Sequence, residues 1–357
     1  MSRQWMRAAW AAALLCAHLA WAVPAHGQNN GTLSGRVVNG TAEGPSVGAG
    51  LSVTLYVTEG ETEQGTLQST TDAQGGFRFE GLDTDVALSY WPEVTYLGVA
   101  YASGTPLMFQ TGDSEMESTL TVYEATDDGS SVRLESVHMI AESFGQVLRI
   151  SEVHVFGNVS DRAFTGQANE AAAGRFVTVF VPLPQTAVGI AFPEDEPVER
   201  YVEVEGGFWD TRPVPPGADG SIVRFSYHLM VEGASVPLER RFSYPVSALS
   251  LLVVQPGLTV RGELLLAGEP VTFQDKEYDV YQVDGLGKDA PLSVELTPIS
   301  ATESSAMPGV TTDTGPAAVP GAIGSQAVLR WLGLSLATLA LLGAVLYPFV
   351  TRPRGRA

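Results

Sequence analysis

This sequence predicts an all-β protein: tandem β-sandwiches followed by one C-terminal transmembrane helix. Three observations carry the prediction. Short runs that alternate apolar and polar residues are separated by Gly, Pro and Asp turns. No amphipathic helical pattern appears before residue 325. Residues 331–350 form an uncharged apolar run, and about 20 residues at ~1.5 Å rise span the ~30 Å hydrocarbon core of a bilayer.

The two ends set the expected compartment. Arg3 and Arg7, an apolar stretch over 8–22, and the small residues Ala25 and Gly27 before Gln28 make 1–27 a predicted signal peptide. Its Cys16 is the only cysteine in the chain, and Leu14 and Leu15 before it do not suit a lipoprotein signal. The mature chain is therefore expected to hold together without thiols or disulfides. At the other end 328–351 is the predicted membrane helix, with Trp331 and Tyr347 near its two headgroup levels. Arg330 precedes it, and Arg352, Arg354 and Arg356 make 352–357 a basic cytoplasmic tail. The expected location is the cell membrane, single-pass, with the N-terminal domains extracytoplasmic. Residues 300–327, rich in Ser, Thr, Ala, Gly and Pro, read as a flexible stalk with an average reach of ~30 Å. Removal of the helix as a C-terminal sorting signal stays open as an alternative, although no Leu-Pro-x-Thr-Gly is present.

Six of the 20 basic residues lie in or beside these terminal segments, and none of the 40 acidic ones does. The exported part thus carries 14 basic against 40 acidic residues, a net of −26. Such a surface repels phosphate backbones, so nucleic acid is excluded as an expected partner.

The first module covers 28–125. Strands are expected at 33–39, 51–57, 67–71, 77–79, 87–90, 96–101 and 119–123. Leu51, Val53, Leu55 and Val57 share one face, and Phe77 and Phe79 share another. Asp72-Ala73-Gln74-Gly75-Gly76 is a turn in which Gly supplies positive φ. The succession Ser34-Gly35-Arg36-Val37-Val38, Val53-Thr54-Leu55-Tyr56, Thr70-Thr71-Asp72-Ala73-Gln74-Gly75-Gly76-Phe77-Arg78-Phe79 and Gly81-Leu82 resembles the carboxypeptidase regulatory-like domain, a transthyretin-like (prealbumin-like) β-sandwich. The resemblance implies a non-catalytic folding, spacing or binding module. It implies no peptidase activity, because no zinc-peptidase domain accompanies it.

Residues 126–146 are expected to form a junction, and 147–299 a β-sandwich region. Within it 176–181, apolar on both faces, reads as a central strand. In 222–232, Val223, Phe225, Tyr227, Leu229 and Val231 share one face. Further strands are expected at 249–254, 258–267, 278–283 and 292–296. The region is immunoglobulin-like by pattern alone, which carries no function. It holds either one domain or two, with a break near Tyr244-Pro245.

Candidate chemistry is sparse. Gly44-Pro45-Ser46-Val47-Gly48 has the letters of a nucleophile elbow without the strand before it or the helix after it. His138, His154 and His228 are too scattered to suggest a metal; His154 and His228 lie in strands and are read as structural. Asp83-Thr84-Asp85, Asp127-Asp128 and Glu194-Asp195-Glu196 lack the spacing of a calcium loop and are read as solvated turns. Asn30, Asn39 and Asn158 begin glycosylation sequons. Trp91, Tyr96 and Trp209 are the candidate ligand-stacking rings, with core packing the competing use. Gly333, Ala337, Ala340 and Ala344 form a candidate helix-packing seam. No cofactor is implied. The expected function is a non-catalytic surface adhesion, scaffold or ligand-binding module with a protein or glycan ligand. The alternatives are an accessory subunit of an envelope membrane complex and a carbohydrate-binding surface protein.

Overall fold

The computed structural model describes residues 30–60, 62–273 and 276–299, and they are nearly all β. The expected signal peptide, stalk, membrane helix and small-residue seam lie outside the described residues. Among the described residues no helix is long and apolar enough to cross a membrane. The chain divides into a first unit ending at Val122 and a second beginning at Tyr123.

The first unit has seven strands: β1 (Gly31–Asn39), β2 (Ser52–Glu59), β3 (Thr62–Thr70), β4 (Gly76–Leu82), β5 (Leu88–Tyr96), β6 (Val99–Ala102) and β7 (Glu115–Val122). They form a three-stranded sheet, β4-β1-β7, and a four-stranded sheet, β3-β2-β5-β6. Leu33 and Val37 of β1, Val53 and Leu55 of β2, Phe77 and Phe79 of β4, and Leu120 and Val122 of β7 are buried, as alternation predicts. Tyr90 and Phe109 complete the core edge-to-face at 5.6 Å, and the Tyr90 hydroxyl donates to the Asp83 carbonyl at 2.5 Å.

The motif residues of the first unit have structural work. The Asp72 carboxylate accepts from the amides of Gln74 and Gly76 at 2.9 and 2.7 Å, while Gly75 takes φ +77°. The buried Thr71 hydroxyl donates to the Gly48 carbonyl and accepts from the Leu51 amide, tying the preceding loop to β2. Gly35 stands directly opposite Phe77 in the β1–β4 ladder. A Cβ at Gly35 would lie 2.3 Å from Phe77 Cζ and 2.7 Å from the Ser118 carbonyl, so the ring occupies the space the glycine leaves.

Strands expected at 87–90 and 96–101 are instead one long strand, β5, and a short one, β6. Leu97 (φ +48°) and Gly98 (φ +80°) form the two-residue turn between them. Pro92 sits mid-strand without breaking it. Its carbonyl accepts from the Ser103 amide on the β6 side, where the β5–β6 ladder extends only from Glu93. The missing Pro92 N–H would point to that same side, so no ladder bond is lost.

The second unit continues with β8 (Ala125–Thr126), β9 (Val132–Phe144), β10 (Val147–Asn158), β11 (Ala163–Phe164), β12 (Gln167–Asn169), β13 (Arg175–Val177), β14 (Phe180–Pro182), β15 (Val188–Ala191), β16 (Tyr201–Val204) and β17 (Gly207–Asp210). It ends with β18 (Gly217–Met230), β19 (Val236–Arg240), β20 (Val246–Val254), β21 (Leu258–Arg261), β22 (Leu266–Ala267), β23 (Val271–Phe273), β24 (Lys276–Leu286) and β25 (Leu292–Pro298). An eight-stranded sheet runs β15-β18-β10-β9-β20-β24-β22, with β23 also on β24. β9 and β20 pair in parallel. The small sheets β14-β17-β16 and β19-β25-β21 contribute to the same core, which joins Val137, Ile150, Val181, Phe208, Phe225, Leu238, Leu251 and Leu296. Residues on both sides of Tyr244-Pro245 therefore share one core. On the opposite face of the large sheet, Ile140, Leu252, Tyr278 and Val280 make a second, smaller cluster.

Three expectations need correction. β9 lies where a junction was expected over 126–146. Residues 176–181 are not a central strand: the pairing is interrupted at Thr178 and Val179, and the Thr178 amide and hydroxyl bond the Asp210 carbonyl while its hydroxyl also lies 2.7 Å from the Arg212 carbonyl. β13 and β14 consequently join different small sheets, and Phe176 is exposed. Residues 258–267 are interrupted by a turn between β21 and β22.

Gly35→Ala is expected to destabilise the first unit by about 1–3 kcal/mol, the usual cost of overpacking. Hydrogen exchange of β1 and β4 amides measures it. Unchanged protection would show that Phe77 does not need the glycine.

Candidate ligand-binding face and buried ionic centre

The outward face of the four-stranded sheet follows from the inward one. With Val53 and Leu55 turned to the core, β2 presents Thr54, Tyr56 and Thr58 on its other side. With Tyr90, Pro92 and Val94 buried, β5 presents Ser89, Trp91 and Glu93. Register places Tyr56 directly opposite Trp91, Thr54 opposite Glu93 and Thr58 opposite Ser89. On the far side of β2 the β3 partners are Thr66, Gln68 and Glu63 respectively. The face therefore carries a central row, Thr66-Tyr56-Trp91. It is flanked by Gln68-Thr54-Glu93 on one side and Glu63-Thr58-Ser89 on the other. Tyr56 and Trp91 are each part-exposed. The charge of Glu93, then burial, then Glu63 push the Tyr56 phenol above its ordinary range.

The three rings expected to stack on a ligand are not brought together. Trp91 is on this face. Tyr96 has the opposite parity, at the end of β5 next to the turn. Trp209 lies on β17 of the second unit, 5.0 Å from Phe180. Tyr56 was missed. The alternation that put Val53, Leu55 and Val57 inside also put Tyr56 outside, and only the inside was read.

The second unit buries a charge cluster. Glu152 and His154 are two residues apart on β10 and so share its inner face; neither is more than 1 % exposed. Glu152 Oε1 accepts from the Tyr227 hydroxyl of β18 at 2.7 Å. Its Oε2 accepts from Arg240 Nη2 of β19 at 2.8 Å and from His154 Nε2 at 2.7 Å. Arg240 Nη1 also donates to the Pro182 carbonyl at 2.5 Å. Phe225, Phe242 and Phe156 surround the His154 ring, with centroids 5.2 to 6.2 Å away. Burial alone would raise the Glu152 carboxyl. Arg240, then His154 and Tyr227, outweigh it and hold it at about 2. Burial lowers the His154 imidazole despite Glu152 beside it. His138 on β9, with a buried Nδ1, is held at about 4 by burial first and His154 second. His154 and His228 do not meet; His228 pairs in register with Arg149, five positions along β10.

A second network anchors the acidic turn at 194–196. Asp210 holds Arg200 through both oxygens, at 3.0 and 2.7 Å. Glu196 lies 2.7 Å from Arg200 Nη1 and 3.1 Å from both Arg212 and Arg224, and Asp195 pairs with Arg224 at 3.0 Å. The other acidic turns close on themselves: Asp83 and Asp85 accept amides two residues ahead, as does Asp128 from Ser130. Among the described residues no group of three or more His, Asp or Glu has the arrangement of a metal site. Of the sequons, Asn158 is buried, with its amide donating to the Arg162 and Val214 carbonyls.

No family model matches the chain, and no curated protein matches it. Among solved structures it is similar to a candidate carbohydrate-binding protein from Pseudomonas aeruginosa, at 14% identity over 27% of this chain and 90% of that one, with a TM-score of 0.18. It is similar to the major pilin SpaA of Corynebacterium diphtheriae at 12% identity, over 75% of this chain and 58% of that one, with a TM-score of 0.19. A candidate cell adhesion protein from Bacteroides eggerthii shares 10% identity over 72% of this chain and 97% of that one, with a TM-score of 0.21. At these scores the likenesses lend no function.

Glu152→Gln is expected to cost the second unit about 3–5 kcal/mol, because Arg240 is left as an uncompensated buried charge. Glu152→Leu combined with Arg240→Met should recover most of that loss. Hydrogen exchange over Val132–Leu296 reads both.

Acid should act in two stages. Below the ordinary histidine value of 6.5, the unfolded chain binds protons that His138 refuses until about 4, so stability falls as pH falls through that window. Below the ordinary 4.5 of a glutamate, Glu152 adds a second loss that continues towards 2. The lowered His154 adds to the upper stage, so His138→Gln should make that stage shallower and leave the lower one unchanged. An equally steep loss between 6.5 and 4 in that variant would contradict the assignment.

Proposed function

We propose that this chain is a non-catalytic surface module. A single C-terminal helix over 328–351 anchors it, and its β units stand outside the cytoplasm to capture a ligand. The observation that carries the binding role is the Tyr56–Trp91 pair. Two large rings directly opposed on the outward face of a sheet serve no packing role in a core already filled by Tyr90 and Phe109. The anchoring rests on the uncharged run 331–350 and the arginines that follow it. Inside the second unit the Glu152 carboxylate accepts from Tyr227, Arg240 and His154 at once, which suits a rigid support rather than a reacting centre.

Two measurements on the full chain test the reading. Carbonate washing of membranes should leave the protein in the pellet, while protease added to intact cells removes the β units. Cells displaying the chain should adhere to surfaces coated with mucin or fibronectin, and adhesion should fall about tenfold in Trp91→Ala and Tyr56→Ala but not in Trp209→Ala. Recovery of the uncleaved chain from the soluble cytoplasm, or adhesion indifferent to both ring variants, would overturn it.

A further inference from the structure

We infer that the outward face of β3-β2-β5 is a binding site for an uncharged oligosaccharide, seated across Tyr56 and Trp91. This rests on the surface-module reading and names the ligand class of its face. The argument begins with the shape of the row. Neighbouring strands are about 4.8 Å apart, so rings opposed on β2 and β5 form an apolar strip roughly as long as two consecutive sugar rings. A sugar ring offers one or two faces of C–H groups and an equator of hydroxyls. The strip matches the first, and the flanking rows match the second.

Those rows supply Gln68, Thr54 and Glu93 on one side and Glu63, Thr58 and Ser89 on the other. One amide and three hydroxyls donate and accept and two carboxylates accept, which together complement a polyol. A peptide adding as a strand would use a sheet edge and its main chain, whereas this feature lies on a face.

Charge selects among sugars. None of the residues in the three rows is basic, and among the described residues both cations of the first unit, Arg36 and Arg78, stand on the other sheet. With Glu63 and Glu93 beside the rings, uronates, sulfated glycans and phosphorylated polymers are repelled. A polycation is the contrary case. It would need the two carboxylates to dominate over the two rings and the uncharged polar groups that surround them.

The test is calorimetric titration of the detergent-solubilised full chain with cellohexaose, maltohexaose and mannohexaose, with oligogalacturonate and polylysine as charged controls. At least one neutral hexasaccharide should bind. Trp91→Ala and Tyr56→Ala should weaken it about tenfold or more, while Trp209→Ala binds as the parent does. Glu93→Gln should narrow the gap between neutral-sugar and oligogalacturonate affinity by relaxing the exclusion of the charged polymer. Trp91→Tyr, which retains a ring, should keep measurable affinity, and equal exchange of the buried β2 and β5 amides in every variant separates lost contact from lost fold. The inference is overturned if none of the three neutral sugars binds, if Trp91→Ala with an intact sheet binds as the parent does, or if either charged polymer binds more tightly. Loss of adhesion to fibronectin in Trp91→Ala without any sugar binding would sink the ligand class and leave the surface module standing. Adhesion indifferent to Trp91 would sink both.

Discussion

The carboxylate of Glu152 is the constraint around which the second unit is built. An ionised group with no access to water is tolerated only when its charge and lone pairs are matched. Here the match comes from three separate parts of the chain: His154 two residues away, Tyr227 on β18 and Arg240 on β19. The large sheet supplies the first two and the small sheet β19-β25-β21 supplies the cation. A slip of one residue in either register would turn these groups to the wrong face and leave an unpaired charge inside. The cluster therefore selects the pairing more than it adds stability. Its cation is chemically quiet as well. Lys276 and Lys288 are both exposed, so no amine lies against the buried carboxylate, and the guanidinium of Arg240 offers charge without nucleophilicity.

How much of this was legible follows from where the period of two survives. In β2 and β4 the alternation survives: Val53, Leu55, Phe77 and Phe79 are buried as the pattern names, while Leu51, just before β2, and Val57 are half-buried. In β9 it is not. Val155 of β10 faces Ser136 while Phe156 faces Leu134, so Glu135 is an extra residue and the apolar phase shifts across it. Val132 and Leu134 keep one parity, Val137, Met139 and Ala141 the other, and a strand with a phase slip reads as an unstructured junction. The interruption at Thr178 was illegible for another reason: its partners Asp210 and Arg212 are more than 30 residues away in sequence.

The buried cluster was half legible. Glu152 and His154 occupy inner positions of a run whose other members are Leu148, Ile150 and Phe156, and charged residues at core positions signal a satisfied network. Nothing local could name Arg240, 88 positions away. The outward Tyr56–Trp91 face was legible in principle. An alternating strand defines two faces at once, and aromatic residues on the outer one are informative because the core has no claim on them.

The contrast between the two outer faces of the first unit gives that point its weight. On the three-stranded sheet, Arg78 bonds Glu80 and Ser34, and the polar groups there are occupied with each other. On the four-stranded sheet Tyr56 feels the charge of Glu93, and the hydroxyls and amide of the flanking rows face outward. Hydroxyls and amides that bond mainly to water are the ones that can exchange water for a ligand at little cost, and rings beside them gain from losing it. The second unit is locked from within by ions, and the first keeps its polar groups on the side away from its core. That division of charge inside one unit and open polar surface on the other is what a chain needs if one part must hold its shape while another meets its surroundings.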